Sequence, residues 1–515
     1  MEPLSATEAR KRIVVACDGT WMDSDGEYEI PSNVTMICRC IKQEDRDAET
    51  GEVIPQIIYY QSGVGTESTL YNKIVGGSTG LGLAEHIREA YSFICNNYQI
   101  GDEIILIGFS RGAFTARSIA TLIGAIGLLN RQGLVYFYQI FQDWQHQMKP
   151  NWKSPYPNEP WENRPPVHKP EYGRKLLELE LTRPNIPVKA IGVWDTVGAL
   201  GIPMVAFLPQ PRSSEFAFVD TKIEPHIEHA FQALALDERR RTFQPTIWEK
   251  PEGQEWPLTM KQCWFPGVHS DVGGSYLDAD LANLTLTWMI SQLEPFLAFD
   301  HSYIVRQNRL TMERHIADGH PVREWGLGRI HDSMTLIFRL AGSARRTPHE
   351  YHAIDRLTYK AQRRLLNTHE YVHASVRIRM GLKGYGYNDK GLYESEGLAG
   401  WTMHGTESAG ERGELGGMRD VKWVKRDPQR RNDPPLIMPE DELAELEHEI
   451  MESWPDVEKG FASIRPGTHH TRMHKSSTDP PVLPPGPSVV NGKNYGVDRV
   501  VQFGKAKKSP TMQTM

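Results

Sequence analysis

The sequence is poor in cysteine. Only five of its 515 residues are cysteine, and all five lie in apolar stretches. An odd number of cysteines in such contexts indicates reduced core residues, not a disulfide framework, and favours a cytoplasmic location. Cys38 and Cys40 are separated by a single residue, which is not the spacing of a zinc or redox pair. We therefore expect neither a metal nor another cofactor.

The sequence also lacks long apolar runs and an excess of basic residues. No apolar run approaches the roughly 20 residues that span a bilayer, and residues 1–10 contain no apolar segment typical of a secretion signal. The formal net charge is −7, whereas nucleic-acid binding usually needs a basic excess. We expect no transmembrane segment and no nucleic-acid partner, and peripheral contact with a membrane stays possible.

The sequence does contain a regular alternation of two patterns. Short apolar runs rich in β-branched residues alternate with amphipathic stretches, which predicts an α/β fold with a mainly parallel sheet flanked by helices. The predicted strands are residues 13–17, 56–61, 103–108, 188–194, 242–248 and 260–265. The predicted helices are residues 34–43, 83–98, 113–129, 134–146, 172–181, 224–238 and 281–293.

The most informative segment joins an apolar strand to a Gly-x-Ser-x-Gly turn. Residues 104–107 form the strand-like run, Gly108, Ser110 and Gly112 form the motif, and residues 113–123 are compatible with a helix. This order is typical of a nucleophile elbow, in which glycines leave room for a turn too tight for side chains. The first N–H groups of the helix would point towards an anion formed at Ser110.

Two competing interpretations of this motif carry less weight. Ser110 could be a small residue in a tight strand-to-helix turn of another Rossmann-like fold. A second match to the motif, centred on Ser78, follows only two apolar residues and looks like a flexible glycine-rich loop. We therefore predict Ser110 as the nucleophile.

A serine nucleophile needs a base, and the base needs an acid that orients it. In α/β hydrolases these residues follow in the order Ser, Asp or Glu, His, each at the end of a strand. Asp195 directly follows the predicted strand 188–194, and His269 lies in a glycine-rich loop just after the predicted strand 260–265. If the strands are parallel, Ser110, Asp195 and His269 share one edge of the sheet.

Two alternatives remain for the acidic residues. An aspartate after a strand is often a turn former or helix cap, which would make Asp195 structural. Asp271 could itself orient His269, or it could cap the turn at Gly273 and Gly274. We favour Asp195 as the acid and the capping role for Asp271.

Acyl transfer also needs N–H donors for the oxyanion. The N–H of Arg111, the residue after the nucleophile, is the first candidate, and Gly19 or Thr20 in the loop after the first strand would supply the second. Asp18 would then be structural and hold this loop by accepting backbone N–H bonds. A phosphohydrolase loop is disfavoured because Ala16 occupies the position where that chemistry needs a nucleophilic aspartate.

Five motifs together resemble the catalytic domain of the type VI secretion phospholipase effectors, which also occurs in many fungal proteins. They are CDGTW (17–21), GFSRGA (108–113), VWDTVG (193–198), ALALDE (233–238) and FPGVHSDVGG (265–274). The resemblance covers about residues 11–300 and extends weakly to about 400. It implies an α/β-hydrolase fold and phospholipase A activity, with a Ser-Asp-His triad carried over to Ser110, Asp195 and His269.

The chain divides into regions of different composition. We predict an α/β-hydrolase domain at residues 11–300, a helical extension packed on it at 301–401, and a largely disordered tail rich in glycine, proline and charge at 402–515. Residues 134–187 form an excursion rich in aromatics and proline. This excursion is either a cap over an apolar substrate or a small satellite core.

Two functions from different classes follow. The first is a serine hydrolase of carboxylic esters, with phospholipid-type lipids as the favoured substrate, although a soluble enzyme acting on another ester would carry the same three residues. The second is a hydrolase-like scaffold without activity, whose tail and aromatic excursion bind a partner. The presence of all three triad residue types favours the enzyme.

Overall fold

A computed structural model describes residues 10–19, 30–63, 80–149, 151–198, 221–320, 322–354, 360–407, 418–426 and 434–452. The strands are β1 (Arg12–Cys17), β2 (Glu44–Arg46), β3 (Val53–Gln61), β4 (Glu103–Phe109), β5 (Leu128–Leu129), β6 (Thr182–Arg183), β7 (Val188–Trp194), β8 (Ile227–Ala235), β9 (Thr259–Phe265), β10 (His352–Ile354), β11 (Ala361–Arg364), β12 (Glu370–His373), β13 (Trp401–Glu407), β14 (Met418–Lys425) and β15 (Leu436–Asp441). The helices are α1 (Asn33–Cys40), α2 (Gly80–Asn97), α3 (Arg111–Ile126), α4 (Arg131–Val135), α5 (Phe137–Gln145), α6 (Pro170–Glu178), α7 (His269–Gly273), α8 (Asp280–Leu293), α9 (His301–Ala317), α10 (Leu336–Ala341), α11 (Ala374–Gly381) and α12 (Glu445–Glu452). Short 3₁₀ turns lie at Arg241–Phe243 and Glu396–Leu398.

One large sheet organises the described residues. Its eleven strands run in the order β13-β14-β15-β12-β9-β8-β7-β4-β1-β3-β2. In this spatial order, every neighbouring pair between β15 and β3 is parallel. Strand β2 at one end, and β13 and β14 at the other, pair in antiparallel orientation. Parallel strands need both faces covered. The predicted α/β class with a mainly parallel sheet is confirmed.

The central strands are apolar on both faces because helices cover both. In β1, Ile13 and Val15 pack in one hydrophobic cluster with α2 and α3. Val14 and Ala16, on the opposite face, pack in a second cluster with α1 and α8. Every residue of β1 is buried. The continuous apolar run in the sequence is therefore two interleaved sets of core residues, as expected where side chains alternate between faces.

The aromatic excursion contributes to the core. Phe141, Trp144 and Tyr172 are fully buried and belong to the same cluster as the elbow helix α3. A buried ion pair between Arg164 and Asp143, 2.6 Å long, closes the loop that joins α5 to α6. These three aromatics are therefore part of the main core beside α3 and do not form a separate satellite core.

Two predicted elements are wrong. Residues 224–238 were expected to be helical, but β8 occupies their centre and lies between β7 and β9. A strand buried on both faces shows no polar alternation, and its alanines and leucines also favour helix, so periodicity cannot separate the two structures. Residues 242–248 form no strand; a 3₁₀ turn is followed by an irregular segment containing Pro245, which cannot donate to a ladder.

The regions after residue 300 also differ from the prediction. Residues 301–401 are not only helical, because β12 lies beside β9 in the main sheet. The described part of residues 402–452 is not disordered, since β13, β14 and β15 continue the same sheet and α12 follows them. Trp401, Trp423 and Met438 are buried there. Buried and exposed positions alternate along β14, with Val421 and Trp423 buried and Lys422 exposed, and an average over composition does not reveal this pattern.

Polar contacts join this last region to the earlier strands. Asp441, at the end of β15, accepts hydrogen bonds from Lys261 Nζ and Trp288 Nε1, both at 2.8 Å. Glu447 of α12 contacts the buried ring of His373 at 3.0 Å. Residues 453–515, which complete the predicted tail, lie outside the described residues. Within the described ranges, no helix has the length and apolarity that crossing a membrane would need.

We predict that Trp423→Ala lowers the free energy of unfolding by about 3–5 kcal/mol, because it empties a fully buried aromatic site in β14. Lys422→Ala, on the exposed face of the same strand, should change it by less than about 0.5 kcal/mol. Chemical denaturation of both variants tests this. Equal, small effects would mean that β14 adds little to the stability of the sheet.

Candidate active site

The elbow has the strained geometry that its sequence indicates. Ser110 follows β4 directly and adopts φ 57° and ψ −118°, a conformation that L-residues rarely occupy. A Cβ on Gly108 would lie 2.6 Å from the carbonyl oxygen of Gly112, and a Cβ on Gly112 would lie 2.1 Å from the carbonyl oxygen of Cys17. The two glycines therefore let β4, α3 and the loop after β1 approach each other.

Ser110, His269 and Asp195 lie together. His269 Nε2 is 2.8 Å from Ser110 Oγ, and His269 Nδ1 is 2.6 Å from Asp195 Oδ2. Ser110, His269 and Asp195 follow the C-terminal ends of β4, β9 and β7. These strands are parallel in one sheet, so their C-terminal ends lie on the same side of it. All three are buried, with Ser110 exposed by 8% and Asp195 by 0%. The arrangement can pass a proton from the serine hydroxyl to the imidazole.

The imidazole of His269 is held from several sides. The rings of Phe109 and Phe243 lie 4.7 and 5.0 Å from it, centroid to centroid. Its backbone N–H donates to Glu238 Oε2 at 3.2 Å. Glu238 is itself paired with Arg240 through bonds of 2.7 to 3.0 Å. Two aromatic contacts and a fixed backbone leave the ring little freedom to turn away from Ser110.

Asp195 is a fully buried carboxylate with three donors. Its Oδ1 accepts the N–H of Ala235 at 3.1 Å, and its Oδ2 accepts both His269 Nδ1 and an Nη2–H of Arg346 at 2.8 Å. The side chains of Asp195 and Arg346 are both 0% exposed. Sequence reasoning missed Arg346, because it lies 151 residues away in an extension predicted only to pack on the core.

The charges of this site follow from these contacts. Burial alone would raise the pKa of Asp195, but the Arg346 charge and the bond from His269 hold it below its usual value. Burial lowers the pKa of His269, although Asp195 opposes that shift. An ionised carboxylate only accepts hydrogen bonds, so Nδ1 carries the proton of a neutral imidazole. Nε2 is then free of a proton and can accept one from Ser110.

Asp271 caps the start of α7, not the turn at Gly273 and Gly274. Its Oδ2 accepts the N–H groups of Val268 and His331, at 2.9 and 3.1 Å, and its Oδ1 is 2.6 Å from His331 Nδ1. Burial raises the pKa of Asp271 despite these partners. It therefore holds the loop that carries His269, while the Nδ1 of that histidine faces Asp195.

A second aspartate supports the same loop. Asp237 Oδ2 accepts the N–H of Gly267 at 2.7 Å and the hydroxyl of Tyr393 at 3.0 Å. Burial raises the pKa of Asp237 to about 6. Asp237 and Glu238 both belong to the ALALDE motif, but the motif alone did not indicate that they fix the backbone around His269.

Asp18 anchors the start of the loop after β1. Its carboxylate accepts the N–H of Gly19 at 2.6 Å and the hydroxyls of Ser32 at 2.6 Å and Tyr60 at 2.8 Å. This differs from the prediction for Gly19, whose N–H already donates to Asp18 and does not serve as an oxyanion donor in this arrangement. Thr20, the other candidate, lies outside the described residues, as does Ser78.

Comparison with known proteins identifies the family. Residues 11–292, more than half of the chain, match the model described as T6SS, phospholipase effector Tle1-like, catalytic domain. The chain belongs to this family. The resemblance inferred from five motifs is thereby confirmed, and membership supports a lipase- or phospholipase-like hydrolase in general terms.

Individual relatives add less. The uncharacterised protein YEL023C of Saccharomyces cerevisiae is 27% identical over an alignment of 260 residues, and the match covers 47% of this chain and 33% of the yeast protein. The chain thus spans about a third of the length of that relative. The crystal structure of an uncharacterised protein from Pseudomonas aeruginosa is 16% identical, with a TM-score of 0.27, and covers 54% of this chain and 45% of its own. This structural similarity is too low to support any conclusion about the present protein.

For this member of the Tle1-like family, we predict that Arg346→Met raises the pKa of His269, because the Asp195 charge is then no longer offset by a guanidinium and stabilises the imidazolium more. NMR titration of labelled histidine, with His269 assigned by a His269→Gln variant, measures this. Arg346→Lys should keep the wild-type value more closely, and Arg345→Met, at the exposed neighbouring position, should leave it unchanged. An unchanged pKa in Arg346→Met would contradict electrostatic control by Arg346.

We also predict opposite effects of alanine at two helical glycines. Gly112→Ala should destabilise the protein by several kcal/mol, because the new methyl group would lie 2.1 Å from the carbonyl oxygen of Cys17. Gly173→Ala in α6 should stabilise it by about 0.5–1 kcal/mol, since its new methyl group would meet nothing closer than 3.7 Å. Thermal unfolding distinguishes the two. A stable Gly112→Ala variant would show that the elbow tolerates a wider turn.

Proposed function

We propose that this protein hydrolyses carboxylic esters through an acyl-enzyme on Ser110, with His269 as general base and Asp195 as the acid that orients it. The observation that carries the proposal is the continuous pair of contacts, 2.8 Å from Ser110 Oγ to His269 and 2.6 Å from His269 to Asp195. Such a chain activates a hydroxyl that is a poor nucleophile by itself near neutral pH.

The proposed reaction has two halves. In the first, Ser110 Oγ bonds to the ester carbonyl carbon as its proton moves to His269 Nε2, and the carbonyl oxygen becomes an oxyanion. The carbon–oxygen bond to the alcohol then breaks, and His269 returns the proton to the leaving oxygen. In the second half, water attacks the acyl-enzyme by the same proton route and releases the acid and free Ser110.

The oxyanion would form beside the N-terminus of α3. The N–H of Arg111, the first residue of that helix, is the first proposed donor, and the helix dipole favours a negative charge there. Thr20 is the second proposed donor, because the preceding residues Cys17 and Asp18 pass close to Gly112 of the elbow.

The proposed substrate is the ester of a phospholipid. This choice rests on the family, whose description names phospholipase effectors, while the three proposed catalytic residues would cleave other carboxylic esters equally well. A panel of diacyl phospholipids, lysophospholipids and short-chain esters separates these substrates. Hydrolysis of short-chain esters alone would retain the reaction and reject the lipid.

The test of the reaction is labelling by a fluorophosphonate together with ester hydrolysis. Ser110→Ala should abolish labelling, and Asp195→Asn should lower the hydrolysis rate by about 10⁴-fold, because the amide favours the wrong imidazole tautomer. Ser118→Ala is the matched control, since Ser118 is a buried serine of α3, the helix that follows Ser110, and its hydroxyl donates to the Phe114 carbonyl. It should label and hydrolyse like the wild type.

The competing function is that of an inactive scaffold. If the folded wild-type protein neither reacts with the fluorophosphonate nor cleaves any ester of the panel, the hydrolase proposal fails. Labelling that persists in Ser110→Ala would reject the nucleophile assignment in particular.

A further inference from the structure

Outside the Ser110 site, three side chains with metal-binding atoms converge. Asp278 and Asp280 lie at the start of α8, and His315 lies near the end of α9. His315 Nε2 is 3.4 Å from Asp280 Oδ2 and 3.8 Å from Asp278 Oδ1. The three ligand atoms all lie within 4.8 Å of one another.

The three atoms are buried and lack well-formed hydrogen bonds. Asp278 Oδ1, Asp280 Oδ2 and His315 Nε2 are all shielded from solvent, and their only close polar partners are each other, at 3.4 Å and 3.8 Å from His315 Nε2 among the described residues. The His315 side chain is only 9% exposed. Buried polar atoms in proteins nearly always have well-formed hydrogen bonds, and these three have only long contacts with each other, so a group bound between them would satisfy all three.

One imidazole nitrogen and two carboxylate oxygens are atoms that bind metal ions. We propose that Asp278, Asp280 and His315 bind one divalent transition-metal ion, with Zn²⁺ as the best fit. Ligand atoms about 2.1 Å from a tetrahedral ion lie about 3.4 Å from each other, close to the 3.4 Å and 3.8 Å that separate His315 Nε2 from the two carboxylate oxygens. An imidazole nitrogen disfavours Ca²⁺ and Mg²⁺, which prefer oxygen ligands. A water molecule would complete the four positions.

The position of the site suggests what the ion does. It joins the start of α8 to the end of α9, where Asn283 and Thr311 already connect the two helices through a bond of 3.3 Å. Helix α8 begins seven residues after α7, the helix that starts with His269. Thr285 of α8 also donates to the Val272 carbonyl of α7 at 2.6 Å. The ion therefore acts as a clamp that fixes α8, which in turn contacts the helix that begins at His269.

The competing explanation is an ion pair without metal. The contact with Asp280 raises the pKa of His315, and burial together with Asp280 raises the pKa of Asp278. A protonated His315 could then face the two carboxyl groups. This arrangement needs no metal, and metal binding to the full-length protein separates the two explanations.

The experiment is a titration of the chelator-treated full-length protein with Zn²⁺ by calorimetry, in the presence of a competing chelator of known affinity. The wild type should bind one equivalent, and Tm should rise with Zn²⁺ concentration. His315→Ala and Asp280→Asn should each weaken binding by about 100-fold or more, since even outer partners of metal ligands contribute about 10–100-fold. His320→Ala, at an exposed position just after α9, should bind like the wild type.

Substitution by Co²⁺ provides a second readout that does not depend on the stability of the variants. The wild-type complex should show the intense visible absorption of a tetrahedral Co²⁺ site. The proposal is overturned if the wild type binds no Zn²⁺ or if His315→Ala binds Zn²⁺ as tightly as the wild type. It is also overturned if the Co²⁺ complex shows only the weak visible absorption of octahedral, water-bound Co²⁺. Failure here leaves the ester-hydrolase proposal untouched, because none of these residues contacts Ser110 among the bonds described.

Discussion

The constraint on which the site depends is the burial of one negative charge, that of Asp195. A carboxylate without solvent contact is costly unless it is paired and fully hydrogen-bonded. Asp195 obtains its partners from three separate parts of the chain, namely the backbone of Ala235 in β8, the imidazole of His269 after β9, and the guanidinium of Arg346. The same three contacts fix β7, the His269 loop and the segment around residue 346 relative to each other. Stabilising the charge and positioning the imidazole are thus one structural requirement.

This requirement explains why the folded unit extends beyond the matched family region. The family match ends at residue 292, yet Arg346 and His331, which bonds to Asp271, both lie after it. Strand β12 pairs with β9, and β15 pairs with β12. Two strands from the later part of the chain therefore lie next to β9, the strand that leads into the His269 loop. Removal of the region after residue 300 would leave Asp195 without its cation and β9 without a neighbour. We regard the region up to residue 452 as part of the unit that builds the site.

The site also depends on glycines that let neighbouring segments of the chain lie unusually close together. Gly108 and Gly112 allow contacts that a methyl group would prevent, and Gly273 does the same for the ring of Phe109, which lies 1.9 Å from where its Cβ would be. Phe109 in turn packs on His269. Glycines in two distant motifs therefore bring together the elbow and the histidine loop. The proposed metal site lies directly after the second of these motifs, at the start of α8, where it would restrain the same loop from the other side.

The sequence alone determined the elements whose chemistry is local. The strand followed by Gly-x-Ser-x-Gly predicted the elbow, and aspartate and histidine placed after two more strands predicted Asp195 and His269 as neighbours of Ser110, because parallel strands end at one edge. Tertiary structure alone decided the rest. It made residues 227–235 a strand, since a run buried on both faces has no diagnostic period. It also placed β15 beside β12 and β14 beside β15 in the same sheet. It also brought Arg346 to Asp195 and His315 to Asp278 and Asp280. No local pattern reveals such contacts, because the two partners are far apart in the sequence. The burial that makes a charge or a polar atom need a partner arises only when the chain folds.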